Sequence, residues 1–226
     1  MISLNNNTCF FFDLDDTLID YEAAFEQASF FIFTQMHPEC DVRKWFRKFK
    51  FYCDEYWKLL ENGKVCRTLY QKMRYEQALT DLGLAAGKGE SEVFHENLAK
   101  VIPRFCVPFS WVSKLLSYFF ERDIAWGIIS NGFSRVQRSK LKVLPVKVDE
   151  SLLFISEETG FEKPDIRYFH FVQEKTGFSN LVYVGNSYEQ DVAPAAAAGW
   201  KTIWLNSSQG GVTAVTAEMA EACFIM

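Results

Sequence analysis

The sequence predicts an α/β fold, a doubly wound parallel sheet interrupted after its first strand by a helical insert. Three observations carry that reading. A short apolar run, Cys9 to Phe12, ends in the acidic cluster Asp13-Leu14-Asp15-Asp16. Beyond Pro108, short apolar runs alternate with amphipathic helical stretches, the pattern of parallel strands joined by right-handed crossovers. Between these regions scarcely a strand candidate occurs.

The first strand is read at Cys9 to Phe12, because an apolar run of this length bounded by polar residues suits a strand buried on both faces. Asp13 and Asp15 then leave its carboxyl end, where open α/β sheets bind ligands. From Ile19 to about Pro103 the pattern is helical. Over Asp41 to Leu60, Val42, Phe46, Phe49, Cys53, Tyr56 and Leu60 recur every three or four residues as one apolar stripe. Arg43, Lys44, Arg47, Lys48 and Lys50 fall largely off that stripe and read as a solvated face. After Gly63, Thr68 to Leu82 resumes the period with Leu69, Met73, Glu76, Leu79 and Leu82, and glycines at 83, 87 and 89 mark a loop. Ser110 to Arg122 is a further amphipathic helix. Strands follow at Ile124 to Ser130, Leu152 to Ser156, Leu181 to Gly185 and Lys201 to Leu205, with helices at Tyr168 to Thr176 and Val192 to Ala198. Residues 1–18 and 104–226 thus form the core, and 19–103 the helical insert.

Composition narrows the function classes. The 226 residues carry a net charge of -5, and no long basic tract recommends a nucleic-acid polymer as partner. Residues Met1 to Thr8 lack the basic and apolar segments of a signal peptide. No apolar run approaches the roughly 18 residues of a membrane helix. Cysteines at 9, 40, 53, 66, 106 and 223 form no CxxC pair and read as reduced thiols, which points to a cytoplasmic protein.

Four polar clusters lie at strand ends. Asp13 and Asp15 pair a carboxylate able to attack phosphorus with a second able to protonate a leaving oxygen and then activate water; alternatively, Asp15 or Asp16 caps a following helix. Ser130-Asn131-Gly132 offers a hydroxyl and backbone N–H groups for a phosphate, or an ordinary turn. Lys163, before Pro164-Asp165, can neutralise nucleophile and phosphate, or be a surface lysine. Asn186 and Asp191 can offer oxygens to magnesium, with Asp191 equally placed to cap the helix carrying Pro194. An EF-hand is excluded by the missing glycine and distant glutamate, and no GxxxxGK[ST] loop exists.

With DLDDT at 13–17, SNG at 130–132, EKPD at 162–165 and GNSYEQD at 185–191, the whole chain resembles the phosphatase branch of the haloacid dehalogenase-like hydrolase superfamily, whose core is Rossmann-like. The resemblance implies Asp13 as nucleophile, Asp15 as general acid/base, and Lys163 and Ser130 holding the phosphoryl group in a pocket shaped by Asn131 and Gly132. It implies a Mg2+ site built from Asp13, Asp15 (through its main-chain carbonyl), Asn186 and Asp191, and a helical cap in the insert. The family's fourth motif usually reads GDS. Asn186 in place of that aspartate lends no charge, so Asp191 is expected to carry more of the metal binding and magnesium affinity to be modest. The aspartate at 15 argues against a true haloacid dehalogenase.

The implied activity is hydrolysis of a small phosphorylated metabolite, a nucleoside monophosphate or sugar phosphate, through an aspartyl-phosphate, by a monomer or homodimer. The segment from Trp57 to Leu82 resembles the cap of pyrimidine 5′-nucleotidases in the family. A phosphomutase and a non-catalytic metabolite-binding protein are the competing readings.

Overall fold

The computed structural model describes residues 7–205, so Cys223 and the first six residues lie outside the described part. Two compact units emerge: one is formed by the chain up to Tyr21 and from Cys106 onward, the other by Glu22–Phe105.

The first unit is built on a five-stranded sheet. Its strands are β1 (Thr8–Phe12), β2 (Ala125–Ser130), β3 (Leu153–Ile155), β4 (Asn180–Gly185) and β5 (Lys201–Trp204), in the order β3-β2-β1-β4-β5. Every neighbouring pair is parallel. β1 is buried along its whole length because helices cover both faces of the sheet. Phe10 and Phe12 meet Phe119 of helix α5 (Val112–Glu121) on one face, with ring centroids 5.0 and 6.1 Å apart. Cys9 and Phe11 point to the other, in a cluster with Tyr168, Phe169 and Val172 of helix α8 (Ile166–Thr176) and with Trp200. Sheet order reverses at β1, and the Asp13 N–H continues the ladder to the Val184 carbonyl (2.9 Å). The first acidic residue is therefore fixed by main-chain pairing at a topological switch point.

The second unit comprises helices α1 (Tyr21–Met36, whose first residue belongs to the other unit), α2 (Val42–Glu61), α3 (Arg67–Thr80) and α4 (Glu90–Val101). Asp41 starts α2 by accepting hydrogen bonds from the Arg43 and Lys44 N–H groups, as an N-cap aspartate does. The basic residues of α2 are exposed except half-buried Lys50. Trp45 is fully buried, stacked between Phe33 and Phe49 at 3.9 and 4.7 Å. The buried face of α3 differs from the expected leucine stripe: Tyr70, Arg74, Tyr75, Ala78 and Leu79 face inward, while Leu69 is exposed. The reason is Arg74, whose guanidinium lies over the Tyr70, Phe49 and Phe25 rings at 4.6, 5.0 and 5.8 Å. Ringed by aromatics, Arg74 is an interior residue, and the buried face of the helix turns to include it.

Arg74 Nε donates to His95 Nε2 at 3.2 Å, and His95 Nδ1 donates to the Ser91 carbonyl at 2.7 Å. Burial, then the neighbouring guanidinium, pushes the His95 pKa down from 6.5 to about 3. A depressed histidine pKa means that the unfolded chain binds the extra proton between those two values, so this contribution to stability is complete above pH 6.5 and declines as pH falls toward 3. Acidifying from pH 7 to pH 5 is expected to cost the wild type about 2 kcal/mol through this residue. Denaturant unfolding of wild type and His95→Gln at both pH values checks it: the difference between the two proteins narrows by that amount at pH 5.

Candidate active site

The carboxyl ends of β1, β2 and β4, together with the turn before α8, bring the four sequence clusters together within the first unit. After Asp13 the chain turns sharply. Asp16 adopts a left-handed conformation (φ 57°), and the Leu18 and Ile19 N–H groups both return to the Leu14 carbonyl. No helix starts until Tyr21, so neither Asp15 nor Asp16 is a helix cap.

Lys163 is the centre of the site. Its Nζ donates to Asp13 Oδ1 at 2.6 Å, to Asp191 Oδ1 at 2.6 Å and to the Tyr183 hydroxyl at 2.9 Å. Lys163, Asp13 and Asp191 are all buried. Burial pushes the Asp13 carboxyl up to about 7; Lys163 pulls it back, and Asp191 and Asp15 add to the rise. Burial also opposes the Lys163 ammonium, but the two carboxylates outweigh it and hold its pKa above the ordinary lysine range. Asp13 Oδ2 accepts no hydrogen bond among the described residues. One carboxylate oxygen is thus pinned, and the other keeps its lone pairs.

Each neighbouring motif has a structural task. Asn131 clamps the Lys163 peptide: its Oδ1 accepts from Lys163 N at 2.9 Å and its Nδ2 donates to the Lys163 carbonyl at 2.8 Å. The Gly132 N–H, read from sequence as free for phosphate, donates to Ser156 Oγ at 2.9 Å. Gly132 sits at φ 139°, where an added Cβ would come within 3.3 Å of Gln137. Asp191 lies inside a wide helical turn, Tyr188–Val192, that leads into helix α9 (Ala193–Ala197), and its side chain faces inward instead of capping. Ser187 is the cap, accepting from the Gln190 N–H. Asp191 Oδ2 accepts from the Ser187 N–H at 3.0 Å, so both its oxygens already serve donors. Gly185 makes room for it, since a Cβ there would lie 2.5 Å from the Asp191 side chain. Asn186 Oδ1 accepts from Thr17 Oγ1 at 3.3 Å.

Three further residues belong to the site and were not read from sequence. Tyr183 of β4 is fully buried; its hydroxyl accepts from Lys163 and faces the Ile129 carbonyl and Asp191 Oδ1 at 3.1 and 3.2 Å. Burial first, then the nearby carboxylates, keep this phenol neutral. Gln137 and Lys140 project from helix α6 (Ser134–Leu141), both buried. Lys140 Nζ donates to Asp15 Oδ1 and Oδ2 at 2.9 and 2.7 Å. Gln137 Nε2 lies 2.6 Å from Ser130 Oγ, 3.1 Å from the Asn131 carbonyl and 3.2 Å from Asp15 Oδ2. The signal available for Tyr183 was an aromatic hydroxyl in a strand one residue before the Val184 that pairs with Phe12.

Among the described residues no group of three or more His, Cys, Asp or Glu side chains forms a metal cluster. The oxygens with spare lone pairs, Asp13 Oδ2 and Asn186 Oδ1, instead make a sparse, hard donor set. That set fits magnesium, which is commonly held by one or two carboxylates and retains waters. It does not fit zinc, which takes three or four N, S or O side-chain ligands.

Residues 8–199 match the family model for haloacid dehalogenase-like hydrolases. The pyrimidine 5′-nucleotidase YjjG of Escherichia coli (strain K12) is 29% identical over 203 residues, covering 87% of this chain and 85% of YjjG. The pyrimidine 5′-nucleotidase PynA of Streptococcus pneumoniae (strain ATCC BAA-255 / R6) is 26% identical, covering 86% of this chain and 82% of PynA. The magnesium-bound crystal structure of the HAD-hydrolase YfnB from Bacillus subtilis superposes with a TM-score of 0.71 at 25% identity, covering 88% of both chains.

Replacing Lys163 by methionine leaves Asp13 and Asp191 buried without their counter-charge. The expected cost at pH 8 is about 3 kcal/mol or more. Because a buried acid with a raised pKa takes up protons as pH falls, the deficit shrinks at pH 5.5. Urea unfolding of wild type and Lys163→Met at the two pH values measures both effects.

Proposed function

Because this chain belongs to the haloacid dehalogenase-like hydrolase family, we propose that it is a magnesium-dependent phosphomonoesterase working through an aspartyl-phosphate on Asp13, with pyrimidine nucleoside 5′-monophosphates as its substrate class. The observation that carries the reading is the division of labour on Asp13: Lys163 holds Oδ1 at 2.6 Å and Oδ2 is left without a donor. Such a carboxylate is oriented yet retains an oxygen for a phosphorus or a cation.

The residues supply the rest in sequence. Asp13 attacks phosphorus in line, forming an O–P bond as the bond to the leaving alcohol breaks. Asp15 in its protonated form gives its proton to the departing oxygen, and as carboxylate then takes one from the water that splits the aspartyl-phosphate. Lys163 and the Ser130 hydroxyl neutralise and orient the phosphoryl oxygens, the greater part of catalysis in phosphoryl transfer. Magnesium, when bound, offsets negative charge on the phosphoryl group and the nucleophile. Asp13, the Asp15 carbonyl and Asn186 would hold it, with Asp191 acting chiefly through Lys163. Glu22–Phe105 corresponds to the helical cap that the resemblance implies, and the nucleotide preference rests on the two nucleotidases that match most of the chain. The scattered spacing of the cysteines, without a CxxC pair, supports a cytoplasmic setting.

Release of phosphate from UMP, CMP and sugar phosphates, with magnesium or with EDTA, tests this. Turnover requires magnesium, is fastest on the pyrimidine nucleotides, and drops at least about 10³-fold in Asp13→Asn. Isomerised sugar phosphate in place of free phosphate identifies a mutase instead. Asn186→Asp adds a charge to the cation site and is expected to lower the magnesium concentration for half-maximal activity about tenfold; an unchanged value removes Asn186 from the ligand set.

A further inference from the structure

We propose that Lys140 and Gln137, on the inward face of α6, are positioning residues that hold Asp15 in place as the proton donor to the leaving alcohol. The inference rests on the phosphatase reading above and extends it to residues outside the four motifs.

Lys140 is 3% exposed, a burial that lysine does not tolerate without a partner. Its partner is Asp15, engaged through both carboxylate oxygens, and its ammonium lies 4.2 Å from the Tyr21 ring centroid. A carboxylate held at both oxygens has its side-chain rotation restricted, so its orientation is set before substrate arrives. Gln137 adds a second coordinate. One amide nitrogen contacts both Ser130 Oγ and Asp15 Oδ2, and thereby ties the proton donor to the hydroxyl that orients the phosphoryl group.

The helix is itself braced from outside. Arg138 bonds Glu158 through Nε (2.7 Å) and Nη2 (3.0 Å), and Glu150 through Nη1 (2.8 Å). The Ser134 N–H donates to Glu157 at 2.7 Å, and its hydroxyl donates to Glu158. An eight-residue helix with no aliphatic face of its own is thus fixed by polar contacts on one side and presents two polar side chains to the site on the other. A purely structural ion pair would be replaceable by apolar residues at little cost. This one ends on the residue that must aim a proton at one oxygen.

In the first half-reaction the proton passes from the Asp15 carboxyl to the leaving oxygen as the P–O bond breaks. Lys140 takes no part in the transfer and acts only by holding Asp15. Its value therefore depends on how much the leaving group needs a proton. The 5′-alkoxide of a nucleotide needs one; p-nitrophenolate departs without.

The test compares kcat/KM, which covers the steps through departure of the leaving group, for UMP and for p-nitrophenyl phosphate. Lys140→Met is expected to lose about 10²-fold on UMP, at least tenfold more than it loses on p-nitrophenyl phosphate. Lys140→Arg restores most of the loss. In an Asp15→Asn background, Lys140→Met costs nothing further on UMP, because residues that act as one unit are not additive. Equal losses on both esters, or full additivity with Asp15→Asn, overturn the proposal. Should Lys140→Met fail to fold, Gln137→Leu carries the same comparison, with the same bias toward UMP expected and an equal loss overturning it. A wild-type protein inactive on both esters refutes the phosphatase reading itself, an outcome distinct from either result for α6.

Discussion

A single ammonium group, Lys163 Nζ, organises the acidic end of the sheet. Asp13 leaves β1 and Asp191 lies beyond β4, and two buried carboxylates converging there would repel one another. Lys163 lets both be buried, and in return they hold its charge against the desolvation that would remove it. The arrangement is costly as a stabilising device, since paired charges recover little more than their desolvation. Its gain is geometric: Asp13, Lys163 and the loop after β4 are held in one fixed relation.

Backbone chemistry supports that relation at each corner. Lys163 lies in the turn before α8, where Asn131, from the end of β2, grips its peptide through both amide atoms. Asp191 reaches back against β4 only because Gly185 has no side chain and because the turn carrying it is one residue wider than an α-turn. Local departures from regular helix commonly mark functional positions. Here the departure points an acid into the interior where regular geometry would present it as a cap.

Much of this was legible in the sequence. The strands were, because burial on both faces demands unbroken apolar runs such as Cys9–Phe12 and Leu181–Val184. Asp13, Lys163 and Asp191 were legible as chemistry, since acids and a lysine at strand ends require partners. The division of roles was not: Asp191 has its oxygens committed to Lys163, Tyr183 and Ser187, while Asn131 and Gly132 spend their polar groups on Lys163 and Ser156. Spacing along a chain reveals which residues gather, not which lone pairs remain unspent once they have.

The stretch from Gly132 to Leu152 carries no apolar period for a related reason. Apolar periodicity detects helices that bury hydrocarbon, and α6, Ser134–Leu141, buries Gln137 and Lys140. Its inward face is polar because what it meets is polar: the Asp15 carboxylate and the Ser130 hydroxyl. The same substitution of partner for pattern hides the interior face of α3, where Arg74 lies among aromatic rings. A different question recovers both helices, namely which cation each buried acid must see and which ring or acceptor each buried cation must see. For Asp15 that cation is Lys140, three residues beyond Gln137 and outside all four motifs.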